Sequence, residues 1–245
     1  MTSIAAFAHY KLDVKVITWN IAHRNNDRAF RHAIEIEQAD LVLFQECFHP
    51  QTYLTRQELL HSPNHHLWEP THNGWGNLIV TKQAVISDVA IEHDFKGRLL
   101  IATASFADLG ELTVINLHTP ITDGYSWHNL KKMLHMVSGQ VRKGNTIICG
   151  DLNFGVCFDK DGQTEHKELF DSLLQEHDMI DCHRKFNAKI GQTFRPARKS
   201  DSQICIDYIL VSKNLESRVK SCHILDDEKT IKMMSDHNPL VAILE

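Results

Sequence analysis

The 245-residue sequence contains no run approaching the ~18 apolar residues that a membrane-crossing helix needs. Its start lacks a Lys/Arg-rich segment, and the apolar stretch Ile4–Ala8 is too short for the core of a signal peptide. No CxxC pair occurs among Cys47, Cys149, Cys157, Cys182, Cys205 and Cys222, which are widely spread. In a chain this large they read as thiols of a reducing compartment rather than as a disulfide framework, and the cytoplasm is the expected location. Excess positive charge is missing too. The formal net charge is −5, so no global field draws the chain to nucleic acid or to an anionic membrane. A bound cation and a local basic rim can still attract a polyanion. There is no internal repeat, no low-complexity tract and no Pro/Gly/Ser linker, so nothing marks a domain boundary within residues 1–245.

What is present is the composition of an ordinary globular protein, 42% hydrophobic and 23% charged, in a chain long enough to bury one large core. Short β-rich runs recur at Val14–Trp19, Leu41–Gln45, Asn77–Thr81, Val85–Ile91, Leu99–Phe106, Leu112–His118, Thr146–Gly150, Ile206–Val211, Val219–Leu225 and Leu240–Leu244. Several are almost continuously apolar, as strands buried on both faces are. Helical patterns lie between them. Asp27 can cap a helix presenting Ala29, Phe30, Ala33 and Ile34 on one face. Trp127, Leu130, Met133, Leu134, Val137 and Val141 form a stripe of helical period, with Arg142 and Lys143 at its negative end and Gly144 to stop it. Leu169, Phe170, Leu173 and Leu174 mark a third helix. About ten strands exceed one comfortable open sheet, so two packed sheets with helices outside are expected.

The polar residues cluster where strands end. Val14–Trp19 runs into Asn20, Leu41–Gln45 into Glu46, Leu112–Leu117 into His118, and Thr146–Cys149 into Gly150-Asp151-Leu152-Asn153. Asp207 sits inside an apolar run, where a carboxylate needs a partner, and Asp236-His237 precedes the final strand. Singly each has a plain reading: an Asx turn, a core histidine, a strand-edge residue. Together they are how an α/β scaffold gathers a polar site on a rigid core.

The segments Thr18-Trp19-Asn20, Phe44-Gln45-Glu46, Asn116-Leu117-His118-Thr119, Gly150-Asp151-Leu152-Asn153, Ile206-Asp207-Tyr208-Ile209-Leu210 and Ser235-Asp236-His237-Asn238-Pro239 run in an order and spacing that resembles the endonuclease/exonuclease/phosphatase superfamily, with its deoxyribonuclease I-like fold. The resemblance implies an α/β four-layer sandwich, two packed mixed β-sheets flanked by helices, with the site at one rim. It implies a metal-dependent phosphoester hydrolase using Mg²⁺, with Mn²⁺ as a substitute. Glu46 is the first choice of metal ligand, a hard carboxylate suited to Mg²⁺. Asn20 and Asp236 are similar to its family neighbours, ligating the ion or its water shell. His237 is the expected base, a side chain whose ordinary pKa lies near neutrality, with Asp207 fixing its tautomer. By the same resemblance Asp151 and Asn153 orient the attacking water and the phosphate, and His118 and Asn116 contact a phosphoryl oxygen.

Substrate identity is less specific. Arg195, Arg198 and Lys199 precede Asp207 and either bind flanking phosphates or decorate a solvated loop. Arg98 is either a phosphate contact or an exposed strand-start arginine, and Trp75 either a stacking platform or a core anchor. Lys131-Lys132 fall on the exposed face of their helix. Ala22 stands where apurinic/apyrimidinic endonucleases carry an acid, which argues against that activity. Phe154-Gly155 and Ile206-Asp207-Tyr208 match only half of the inositol-polyphosphate 5-phosphatase pattern, and Cys205 replaces a frequent basic residue. No long apolar insertion of the sphingomyelinase kind is present. A phosphoester substrate is therefore expected, nucleic acid preferred over phosphoinositide or another small phosphoester, with no protein partner implied. A catalytically silent binding module on the same fold is the alternative of another class. A zinc protein built on the 17 histidines lacks HExxH or paired Cys/His spacing.

Overall fold

The computed structural model describes residues 13–23, 26–49, 65–123, 125–142, 144–160, 162–197, 203–226 and 228–245. Among them the chain forms twelve strands: β1 (Val14–Asn20), β2 (Leu41–Phe48), β3 (His66–Pro70), β4 (Trp75–Thr81), β5 (Val85–Asp88), β6 (Leu99–Phe106), β7 (Gly110–His118), β8 (Thr146–Asp151), β9 (Met179–Asp181), β10 (Asp207–Ser212), β11 (Val219–Ile224) and β12 (Leu240–Leu244). Five α-helices are described: α1 (Asn26–Arg31), α2 (Trp127–Val141), α3 (Glu165–Glu176), α4 (Cys182–Phe186) and α5 (Glu228–Met234). A wider π-helical turn, His32–Ile36, continues α1.

The strands make two six-stranded sheets, ordered β11-β12-β1-β2-β4-β3 and β5-β6-β7-β8-β10-β9. Each has one parallel pair, β1 with β2 and β7 with β8, inside otherwise antiparallel neighbours. Alternation within the apolar runs explains the layers. Along β2, Leu41 and Leu43 join the core shared with Val114, Ile147 and Ile209 of the other sheet, whereas Val42 and Phe44 join the core containing Phe30 of α1 and Ile231 of α5. In the second sheet Ile115, Ile148 and Leu210 face Leu130 and Met133 of α2 and Phe170 of α3. Helix, sheet, sheet, helix: a strand covered on both faces has no polar positions to alternate, which is why these runs read as continuous. Each fully buried Leu, Ile or Phe contributes about 1.5–3 kcal/mol.

The structure differs from the sequence reading in places. β3 and β9 have no apolar run of their own: all five residues of β3 are half-buried, and β9 spans three residues at a sheet edge. Asp27 sits in the first turn of α1 rather than before it. All six cysteines are free thiols, five of them buried.

Candidate active site

The parallel strands of both sheets end at one rim. β1 closes on Asn20 beside Gln45 of β2, and β7 closes on His118 directly opposite Asp151, the last residue of β8. Asp207 opens β10 opposite that same Asp151. Gly150 is required just before it: its φ is +141°, and a Cβ there would lie 1.8 Å from the Leu117 carbonyl oxygen. The loop Ser235–His237 arrives from α5 and is held on several sides. Ser235 Oγ donates to the Asn20 carbonyl (2.7 Å) and accepts from His237 N (3.0 Å). Trp19 Nε1 donates to the His237 carbonyl (3.1 Å), and Arg195 N donates to the Asp236 carbonyl (2.8 Å).

These supports aim the His237 imidazole. Its Nδ1 lies 2.9 Å from Asp207 Oδ2, its Nε2 lies 3.9 Å from Asp151 Oδ2, and the Phe194 ring packs on it at 4.9 Å. Burial works against the imidazolium, but the Asp207 charge and hydrogen bond, then Asp151 and Asp236, outweigh it and raise His237 to about 9. Burial first and Asp207 second push the Asp151 carboxyl up to about 7, against the pull of His237 and of the Asn20 amide. Asn20 Nδ2 donates to Asp151 Oδ2 (3.0 Å), while its Oδ1 accepts from Ala22 N (2.9 Å). Asn153, at φ +48°, donates its backbone N–H to Asp151 Oδ1 (2.9 Å) and its side-chain amide to the Thr119 carbonyl (3.0 Å).

Glu46 reaches the site by a bulge. The β2–β4 register slips between Phe44 and Cys47, and Glu46 takes a left-handed φ of +52°. A bulge re-aims a side chain, here into the cleft. Its carboxylate lies 3.5 Å from His118 Nε2 and 3.4 Å from His23 Nδ1. His118 is held well below the ordinary histidine range by burial, then by Arg98, His237 and His23. Arg98 Nη1 sits 3.2 Å from His118 Nδ1 and its guanidinium lies 4.7 Å over the Trp75 ring.

A divalent cation fits this donor set. Glu46, Asp236 and Asp151 line the cleft with hard carboxylate oxygens, whereas in the Asp151, Asp207 and His237 group, whose ligand atoms lie within 4.8 Å of one another, the His237 Nδ1 is already engaged by Asp207.

Several expected residues do other work. Asn116 does not reach the cleft: its amide donates to the Phe44 (2.9 Å) and Leu78 (3.0 Å) carbonyls of the facing sheet, and its oxygen accepts from Gln45 Nε2 (2.8 Å). Asn77 Nδ2 reaches back to the Arg98 and Asn116 carbonyls at 3.0 and 2.9 Å. Asn116, Gln45 and Asn77 thus clasp the two sheets just beneath the site. Arg195 also turns away from a phosphate role, because its guanidinium holds Asn238 Oδ1 and the Ser235 carbonyl and so pins the His237 loop. Arg198 and Lys199 lie outside the described residues. Arg98 and Trp75, by contrast, both line the cleft. Sequence reasoning missed Thr193, whose buried Oγ1 accepts from Ile206 N and Asp207 N (3.0 and 3.1 Å), and it missed Phe194, His23 and Gln45. Only Gln45 carried a signal, as an amide within an apolar run.

The architecture has solved counterparts. The chain is similar to an AP endonuclease from Archaeoglobus fulgidus, with a TM-score of 0.74, 18% identity, and coverage of 95% of this chain and 99% of that one. It is similar to a 3′-5′ exonuclease (NExo) from Neisseria meningitidis at TM-score 0.75 and 19% identity, covering 95% and 100%. It is also similar to a 3′ phosphatase NExo from Neisseria bound to product DNA hairpin, at 0.72 and 17%, covering 95% and 99%. At such identities the likeness carries the fold. No curated protein sequence matches the chain. The sequence model of the Endonuclease/Exonuclease/phosphatase family matches residues 17–237, nearly the whole chain and every strand-end residue of the site. The chain belongs to that family of phosphoester hydrolases.

Proposed function

We propose that this protein is a Mg²⁺-dependent phosphodiesterase, with Mn²⁺ as a substitute and nucleic acid as the preferred substrate. The observation that carries the reading is the Asp207–His237–Asp151 line: one carboxylate on Nδ1 at 2.9 Å and another 3.9 Å from Nε2, opening on a cleft of about 740 Å³. With Nδ1 engaged by Asp207, Nε2 is the atom that takes a proton from water when His237 is neutral, a form that its raised pKa of about 9 favours on the alkaline side. Asp151 faces the same water and orients its oxygen towards phosphorus. The P–O bond to the leaving group breaks in line as the new P–O bond forms, and the proton from water resides on His237. Arg98 and His118 supply donors for the phosphoryl oxygens. Glu46 and Asp236 would hold a divalent cation, which when bound would supply charge compensation for the phosphate and the departing oxygen.

Nucleic acid is favoured because the named activities of the structural neighbours are those of an AP endonuclease, an exonuclease and a DNA-bound 3′ phosphatase. Ala22 stands where the AP endonuclease pattern has an acid, which favours a different nuclease activity. Six free thiols support a reducing compartment, and we place the protein in the cytoplasm. No described helix is long and apolar enough to cross a membrane.

The test is one panel of single- and double-stranded DNA, RNA, phosphoinositides and sphingomyelin, with Mg²⁺ or with EDTA, alongside Asp151→Ala. Mg²⁺-dependent cleavage of a nucleic acid, lost in the variant, is the expected result. Cleavage confined to the lipids overturns the substrate, and cleavage unaffected by EDTA overturns the cation.

A further inference from the structure

The hydrolytic reading leaves part of the cleft without a task. Ile121, Tyr125, Phe158 and His166 line the same cavity as His237 and Asp151. The first three are 59%, 43% and 43% exposed, a concentration of bare apolar surface that a phosphate backbone does not use. They sit on well-held backbone. Asn129 Nδ2 donates to the Pro120 carbonyl (2.8 Å) and Thr122 Oγ1 (3.0 Å), fixing the segment that carries Ile121 to α2. Ser126 Oγ donates to the Asn153 carbonyl (2.5 Å), tying Tyr125 to the turn that carries Phe158. That turn lies so close to the β10 approach that a Cβ on Gly155 would meet the Cys205 carbonyl oxygen at 2.4 Å.

His166 is the polar member of this group. Its ring packs near Phe154 (5.4 Å) and Phe158 (5.9 Å), and its Nδ1 lies 3.1 Å from Asp159 Oδ1. Asp159 also accepts from the backbone N–H groups of His166 and Lys167 (2.8 and 2.9 Å), so its carboxylate is fixed at the start of α3. In its neutral form an imidazole whose Nδ1–H points at a fixed carboxylate presents Nε2 as an acceptor.

We propose that Ile121, Tyr125, Phe158 and His166 form a nucleobase pocket beside the scissile phosphate. The planar ring lies against Tyr125 and Phe158, its edge meets Ile121, and an exocyclic amine or ring N–H donates to His166 Nε2. An acyl chain would cover the same aromatic surface but leave Nε2 desolvated without a partner, and the net charge of −5 gives no attraction to an anionic bilayer. The volume is that of a site for a small ligand. This inference rests on the phosphodiesterase reading and gives it a substrate unit: a phosphoester that carries a base, engaged one base at a time.

Two measurements test it separately from that reading. The first compares, with Mg²⁺, a dinucleotide with analogues in which one base is replaced by hydrogen on either side of the phosphate. Base stacking is worth about 1–3 kcal/mol. Tyr125→Ala, Phe158→Ala and His166→Ala are therefore expected to raise KM for the intact dinucleotide by ~10-fold. They leave kcat, and KM for one of the two base-less analogues, unchanged. His166→Asn, which keeps an acceptor, recovers part of the loss. Variants that shift intact and base-less substrates equally overturn the pocket while sparing the hydrolase. The second is equilibrium binding of a nucleoside 5′-monophosphate against ribose 5-phosphate. A preference for the nucleotide, lost in His166→Ala, upholds the pocket even if the dinucleotide is not cleaved. No preference overturns it, as does Tyr125- and Phe158-dependent hydrolysis of phospholipid vesicles in place of nucleotides.

Discussion

His237 and Asp207, thirty residues apart in sequence, face one another at 2.9 Å between a loop of one sheet and the first residue of a strand in the other. A histidine so fixed has one nitrogen committed and one available, and the available nitrogen looks towards Asp151. His237→Ala is expected to lower turnover by at least ~100-fold, the low end for a positioned general base. Asp207→Asn falls between that variant and the wild type, because an amide can turn its NH₂ to Nδ1 and select the wrong tautomer. Steady-state kinetics with folded variants decide it, and near-normal turnover of His237→Ala removes His237 from the role.

Glu46→Gln keeps the shape of the side chain and removes its charge. Half-maximal activity should then require a higher Mg²⁺ concentration, with loss recovered in part at saturation. An unchanged metal titration counts against Glu46 as a ligand.

Asp181 offers a pH test away from the site. Burial raises its carboxyl from 3.8 to about 6, against the pull of Arg184, and its Oδ2 is buried without a hydrogen-bond partner. A carboxyl whose pKa rises on folding contributes stability that is complete below 3.8 and lost as the pH climbs through about 6. Asp181→Asn retains an oxygen to accept from Arg184 N, as Oδ1 does now at 3.1 Å. The variant should therefore exceed the wild type at pH 8 by about 1–3 kcal/mol, with the gap closing towards pH 4. Urea unfolding at the two pH values measures this, and a gap independent of pH contradicts it.

Asn116→Leu conserves volume and removes the clasp. The Phe44 and Leu78 carbonyls and the Gln45 amide each lose a partner in a dry interior, at about 1–3 kcal/mol for each group left unmatched. Activity should fall as well, although Asn116 touches no substrate, because Glu46 belongs to one sheet and Asp151 to the other. Stability within about 0.5 kcal/mol of wild type refutes the clasp.

Much of this was legible in the sequence, and the limits have physical causes. Asn20, His118, Asp151 and Asp207 stood out because each interrupts or ends an apolar run, and a strand end is fixed by where burial stops. Asn116 interrupts a run in the same way, yet periodicity gives the face of a strand and not what faces it, so a clasp and a phosphate contact look alike. Arg195 stands next to Phe194 in sequence, but its target is a loop forty residues on. The bulge at Gln45-Glu46 has no glycine to announce it. Tyr125, Phe158 and His166 come from separate segments, and only the fold makes them neighbours.

The bond from Trp19 Nε1 to the His237 carbonyl spans 218 positions, and β12, which follows His237, pairs between β11 and β1 inside its sheet. Local helices and hairpins form in microseconds, whereas such distant pairings come late. Hydrolysis is therefore a clock for the final folding event: during refolding, helical signal should return before turnover does, and the interval between them times the meeting of the two ends of this chain.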